Sequence, residues 1–176
     1  VKIDCAPELM HKSLEENNIA FFFAQKYHSA MKYVAPVRKQ LGIRTVFNIL
    51  GPLTNPGKVC QMVLGVFSEE YVEKIATALI KLGVTDALVV YGVDGFDEIS
   101  ACGKTVIAEV RGGKINQYEV TPESFGLKSC TKEDLLGGTP EENAQITRNV
   151  ISGKGTDAQN TAVALNAGAG IYGAKE

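Results

Sequence analysis

Two stretches of the chain gather side chains suited to chemistry. The first, HSAMKYVAPVRKQLGIRTVFNILGPLTNP (residues 28–56), sets His28, Lys32, Arg38, Lys39 and Arg44 among apolar residues and holds no acidic residue. Arg38 is the strongest candidate in it. At helical spacing it shares a face with Val34 and Leu41, which brings a guanidinium near apolar surface, where it can grip a planar carboxylate through two parallel hydrogen bonds. The alternative is an ordinary helix-face arginine with its stem buried and its head in water. His28 precedes a candidate N-cap, Ser29, and reads either as a general base or as a histidine satisfied by local backbone. Lys32, Lys39 and Arg44 read as solvated or helix-end charges. The second stretch, VDGFDEIS (residues 93–100), follows the apolar run ALVVYG. Its adjacent carboxylates, Asp97 and Glu98, suit Mg²⁺, an ion that binds through one or two carboxylates and keeps waters or substrate phosphates. The alternative is a solvated acidic loop, with Asp94 either a further ligand or the holder of an Asp-Gly turn.

Positioning these groups requires a scaffold, and the hydrophobic pattern supplies one. VCQMVLGVF (59–67) reads as a buried strand, EEYVEKIATALIKLG (69–83) as an amphipathic helix with Val72, Ile75, Leu79 and Leu82 on one face, and ALVVYG (87–92) as a second buried strand. Strand, helix and strand in so short a span make a βαβ unit, which implies a parallel sheet covered on both faces. Ligands in such sheets sit beyond the carboxyl ends of the strands, where VDGFDEIS falls. KTVIAEV and KINQYEV flank RGG and read as a hairpin. Thr139-Pro-Glu-Glu142 is a capping box that opens a helix to about Ser152, and TAVALNAGAGIYGA reads as a closely packed helix. IAFFFA (19–24) reads as a buried strand. Pro36 is expected to split 29–42 into two short helices, with Gly42 closing the second, and GPLTNPG (51–57) is expected to be a loop.

The whole reads as one α/β domain over residues 1–176, mainly parallel in its sheet, with flanking helices. A chain of 176 residues that is 45% hydrophobic and 22% charged can bury a real core. Its net charge of -2 gives no global case for nucleic-acid binding. No apolar run approaches the ~18 residues that span a bilayer, and the first residues resemble neither a signal peptide nor a transit peptide. Cys5, Cys60, Cys102 and Cys130 are widely spaced and read as reduced cytoplasmic thiols without a structural task. The Gly-rich segments match no phosphate-binding loop.

With Arg38, GIRTVFNILGPLTNP and DGFDEIS in view, the sequence resembles the anthranilate phosphoribosyltransferase family over nearly its whole length. The block from FFFAQKYHSAM to LGPLTNP resembles that family's central segment, DGFDEIS its DGxDE loop, and EENAQITRNVISGKG with ALNAGAGIYGA its C-terminal helices. The resemblance implies a glycosyltransferase of tryptophan biosynthesis that moves the phosphoribosyl group of PRPP to the amino group of anthranilate. It implies that Arg38 holds the anthranilate carboxylate, that His28, Met31, Gly51 and Pro52 line the anthranilate path, and that Asp97 and Glu98 hold Mg²⁺ on the PRPP pyrophosphate. It also implies a fold of the nucleoside phosphorylase/phosphoribosyltransferase C-terminal type, incomplete on its N-terminal side, and a homodimeric parent protein. Ser29 replaces the family's usual proline. The family's helical N-terminal domain, its GTGGD phosphate loop and its KHGNR-type segment have no counterpart, so the chain reads as the C-terminal part of a longer enzyme and is expected to be inactive alone. Two other readings compete: a pyrimidine nucleoside phosphorylase-like enzyme, and a catalytically silent α/β module.

Overall fold

The computed structural model describes residues 3–29, 31–43 and 45–174. The chain groups into two compact units, Val1–Lys58 and Val59–Glu176.

The first unit is helical: α1 (Pro7–Asn17), α2 (Ala24–Tyr27), α3 (Met31–Leu41) and α4 (Phe47–Leu53). Three expectations are corrected in it. The IAFFFA run is not a strand. A strand must hand its backbone N–H and C=O groups to a neighbour, and no strand pairs with these residues among those described. Their aromatic rings pack locally instead, Phe21 stacked on Phe23 at 6.4 Å and Phe22 edge-on to Tyr27 at 5.0 Å between ring centres. Pro36 does not split its segment, because α3 runs through it. At the sixth helical position its missing N–H forfeits one intrahelical bond, the one to the Lys32 carbonyl, and the helix continues past it. Gly42 closes α3 as expected, in the left-handed region at φ 63°, with its amide on the Arg38 carbonyl. The third correction is that Gly51, Pro52 and Leu53 form the last turn of α4. The Thr54 hydroxyl bonds the carbonyls of Leu50 (2.8 Å) and Gly51 (3.2 Å), which satisfies acceptors that a helix end leaves open.

The second unit is a four-stranded sheet in the order β1 (Gln61–Gly65), β2 (Asp86–Gly92), β3 (Thr105–Arg111) and β4 (Lys114–Val120). β1 and β2 are parallel, joined by the expected crossover through α5 (Val72–Lys81); β2–β3 and β3–β4 are antiparallel. The α/β class with flanking helices holds, while the sheet is mixed rather than mainly parallel, because the expected hairpin joins the same sheet beside β2. Gly112 and Gly113, at φ 55° and 74°, make its two-residue turn in the conformation whose twist matches the strands. Side-chain alternation sorts the core. Leu88, Val90 and Ile107 pack with Leu165 and Ala169 of α7 (Asp157–Gly173), while α5 buries Val72, Ile75, Ala76 and Leu79 against the sheet. Thr139 and Thr156 form capping boxes at the starts of α6 (Pro140–Ile151) and α7. Leu79 is 1% exposed, so Leu79→Ala is expected to cost about 2–5 kcal/mol through lost burial and the cavity left behind, read as a lower urea midpoint with unchanged slope.

Candidate functional site

In the first unit, Arg38 occupies the last turn of α3, where a cation meets the helix's negative end. It is half-buried, and its guanidinium carbon lies 5.9 Å from the centre of the Phe47 ring, the first residue of α4. No carboxylate pairs with it among the described residues. His28 ends α2: its amide donates to the Ala24 carbonyl at 2.8 Å, and its own carbonyl accepts from the Met31 amide at 2.9 Å. That link sets His28 and Met31, both half-buried, at the junction of α2 and α3. Gly51 and Pro52 are exposed on the last turn of α4. Arg44 lies outside the described residues. Two groups that sequence reasoning passed over are the Tyr27 and Thr45 hydroxyls, both buried without a hydrogen-bond partner. Such atoms are where a water or a ligand finds a bond. Spacing gave no sign of them, because burial of a hydroxyl is a tertiary property.

In the second unit, the turn after β2 carries Asp94, Asp97 and Glu98. It lies directly on the end of β1: a Cβ added to Gly65 would stand 1.5 Å from the Asp97 carbonyl oxygen and 2.4 Å from its carbon. Only glycine allows this approach. Asp94 turns inward and holds the turn. Its Oδ2 accepts from the Ser100 hydroxyl, its carbonyl accepts from the Lys132 ammonium, and its Oδ1 is buried and unpaired. Behind Glu98, the Asn166 side chain of α7 clamps the Ile99 backbone, accepting from its amide and donating to its carbonyl, both at 2.9 Å. Ser100, Lys132 and Asn166 escaped sequence reasoning because each acts on a residue distant in the chain or through a loop that no pattern predicts.

Asp97 and Glu98 are exposed. The Glu98 carboxyl is nonetheless partly withdrawn from water, and that desolvation, ahead of repulsion from Asp97 and Asp94, raises its pKa above the ordinary 4.5. A cation beside the pair would offset the repulsion. Among the described residues no cluster of three or more His, Cys, Asp or Glu forms a metal cage, so the protein offers two outward carboxylates. That donor set fits Mg²⁺, which takes its other ligands from water and phosphate. A cleft of about 370 Å³ lined by Lys128, Cys130, Thr156 and Thr161 touches none of these residues.

Two outcomes follow from this geometry. Gly65→Ala should cost about 1–3 kcal/mol, as overpacking does, and should shift the amide resonances of Asp97 and Glu98. Ionised Glu98 opposes folding above its raised pKa, and that penalty fades as pH falls through the raised pKa and is gone below the ordinary carboxylate value. Glu98→Gln is therefore expected to raise the urea midpoint of the metal-free chain at neutral pH, with the gain gone by about pH 4.

Comparison with known proteins places this geometry in a family. All of the chain, residues 1–176, matches the family described as Glycosyl transferase family, a/b domain. It is 52% identical over 170 residues to an anthranilate phosphoribosyltransferase of Lacticaseibacillus casei, covering 97% of this chain and 50% of that protein. It superposes with a TM-score of 0.91 and 47% identity on the crystal structure of anthranilate phosphoribosyltransferase from Thermus thermophilus, over 99% of this chain and 51% of that one. The Saccharomyces cerevisiae anthranilate phosphoribosyltransferase in complex with 4-fluoroanthranilate gives a TM-score of 0.85 at 30% identity, over 97% and 49%. The chain thus spans about half the length of the relatives it matches. With its whole length covered by that match, the chain belongs to the glycosyl transferase family, as its a/b domain.

Proposed function

We propose that the protein carrying this chain transfers the phosphoribosyl group of PRPP to the amino group of anthranilate, releasing pyrophosphate in tryptophan biosynthesis. The observation that carries this reading is Arg38: a half-buried guanidinium against an aromatic ring, with no acidic partner among the described residues. A cation so placed suits a small aromatic carboxylate, whose ring takes the apolar surface while its anionic group takes two N–H donors. The names of the relatives, at up to 52% identity, support the same acceptor.

In this reading Arg38 binds and orients anthranilate through its carboxylate, leaving the amine free to attack. His28, Met31, Gly51 and Pro52 line its approach. Asp97 and Glu98 hold Mg²⁺, which supplies charge stabilisation to the departing pyrophosphate. Ribosyl transfer builds positive charge at the anomeric carbon, so the chain's contribution is to position the amine and to exclude competing acceptors. No covalent nucleophile is needed, and none of the four cysteines is assigned that part. No helix of the described residues is long and apolar enough to cross a membrane. We place the protein in the cytoplasm as a homodimer, the state that the family resemblance implies.

Loss of anthranilate fluorescence on addition of PRPP and Mg²⁺ tests the activity in the protein carrying this chain. Arg38→Ala should raise the KM for anthranilate on the order of 10- to 100-fold, the loss of a charged hydrogen-bonded contact of about 1.5–3 kcal/mol, with a far smaller change in the KM for PRPP. Failure to consume anthranilate, together with phosphorolysis of a pyrimidine nucleoside, would overturn the reading in favour of the phosphorylase.

A further inference from the structure

Cys102 and Cys130 are 28 positions apart, yet their sulfurs lie 3.7 Å from each other, both in half-buried side chains. Their backbones are already tied. The Cys130 amide donates to the Ala101 carbonyl at 3.0 Å, and the Cys130 thiol reaches the same oxygen at 3.4 Å. The Cys102 amide donates to the Ser100 hydroxyl oxygen at 2.9 Å, and that hydroxyl donates in turn to Asp94. Two residues beyond Cys130, the Lys132 ammonium bonds the Asp94 carbonyl. The thiols therefore sit where the segment before α6 is strapped across the turn after β2.

We propose that Cys102 and Cys130 form a redox modification site, in which a peroxide joins them as a disulfide that fastens the 128–132 strap to the 93–103 turn. A disulfide needs sulfurs about 2.05 Å apart on Cβ atoms about 3.5–4.5 Å apart. Two side chains in contact, on backbones already hydrogen-bonded, reach that by closing less than about 2 Å. One thiolate attacks the peroxide, leaving a sulfenic acid and expelling hydroxide; the second sulfur then attacks the sulfenic sulfur and expels water. In sum, two thiols and one hydrogen peroxide give one disulfide and two waters. A dithiol reductant reverses the bond by exchange through a mixed disulfide.

The surroundings set the rate. Burial, then the hydrogen bond with Cys130, pushes the Cys102 thiol up to about 11; the Asp94 charge adds to this and the Lys132 charge opposes it. Thiolate is the reactive form, so attack by Cys102 is slow at neutral pH and quickens as pH rises.

The test uses the protein that carries this chain, treated with hydrogen peroxide, quenched by alkylation and digested with trypsin without reductant. Cleavage after Lys81, Lys104, Lys128 and Lys132 puts Cys102 and Cys130 in separate peptides, 82–104 and 129–132. The expected product is those two peptides joined, lighter by two hydrogens than their sum and parted again by dithiothreitol. Amide exchange across 94–103 should slow in the oxidised protein, and Cys130→Ser should lose both the linkage and the slowing. Separate alkylation of the two cysteines after prolonged peroxide, a linkage to other cysteines only, or unchanged exchange in the joined form would each overturn the proposal. None of these readouts depends on transferase activity.

Discussion

The acidic turn of this chain exists because Gly65 has no side chain. The Asp97 backbone rests on the last residue of β1 at a separation that any Cβ would occupy, and the turn's other supports take their places around that contact. Asp94, drawn inward by Ser100 and Lys132, holds one side; the Asn166 clamp on Ile99 holds the other. Between them, Asp97 and Glu98 are presented to solvent by a frame with hydrogen bonds on both flanks. A loop so braced forgoes the conformational freedom that surface loops usually keep, which is what a binding turn requires if its ligand is not to meet that cost on arrival.

The frame also creates a charge problem. Three carboxylates share one short turn, and one of them, Asp94, has an inward oxygen with no bond. Glu98 answers by resisting ionisation. Under the proposed function, these like charges at the carboxyl ends of parallel strands, where ligands collect, are offset by a cation and its anionic companion. Arg38 in the other unit shows the complementary pattern: a cation packed on an aromatic ring, lacking a carboxylate among the described residues.

Much of the scaffold was legible because its signals are local. The apolar runs of β1 and β2, the stripe on α5, the two-glycine hairpin and the Thr139 capping box each need only a few neighbouring residues to declare themselves. The failures share a cause as well. The three phenylalanines at 21–23 look like a strand, but a strand is a relation to another strand, and that partner is not among the described residues. Pro36 and Pro52 look like breaks, yet each stands inside a helix that runs on past it. In the site, the carboxylates were visible as a motif. Asn166, which holds them in place, bonds a residue 67 positions away, and nothing in its sequence surroundings announces that.

The mixed order of the sheet bears on how the chain assembles. β2, β3 and β4 form a meander in which each strand pairs with its successor in the chain, β3 and β4 across a two-residue turn and β2 and β3 across residues 93–104, so their pairing closes loops far smaller than the one Asn166 closes. The turn that carries Asp97 and Glu98 is one of those reversals, and it rests on β1 as well. The Asn166 clamp closes a far longer loop and is favoured only once α7 has packed. The bend that displays the two carboxylates is thus bounded by pairing between neighbouring strands, while one of its braces, Asn166, comes from the last helix.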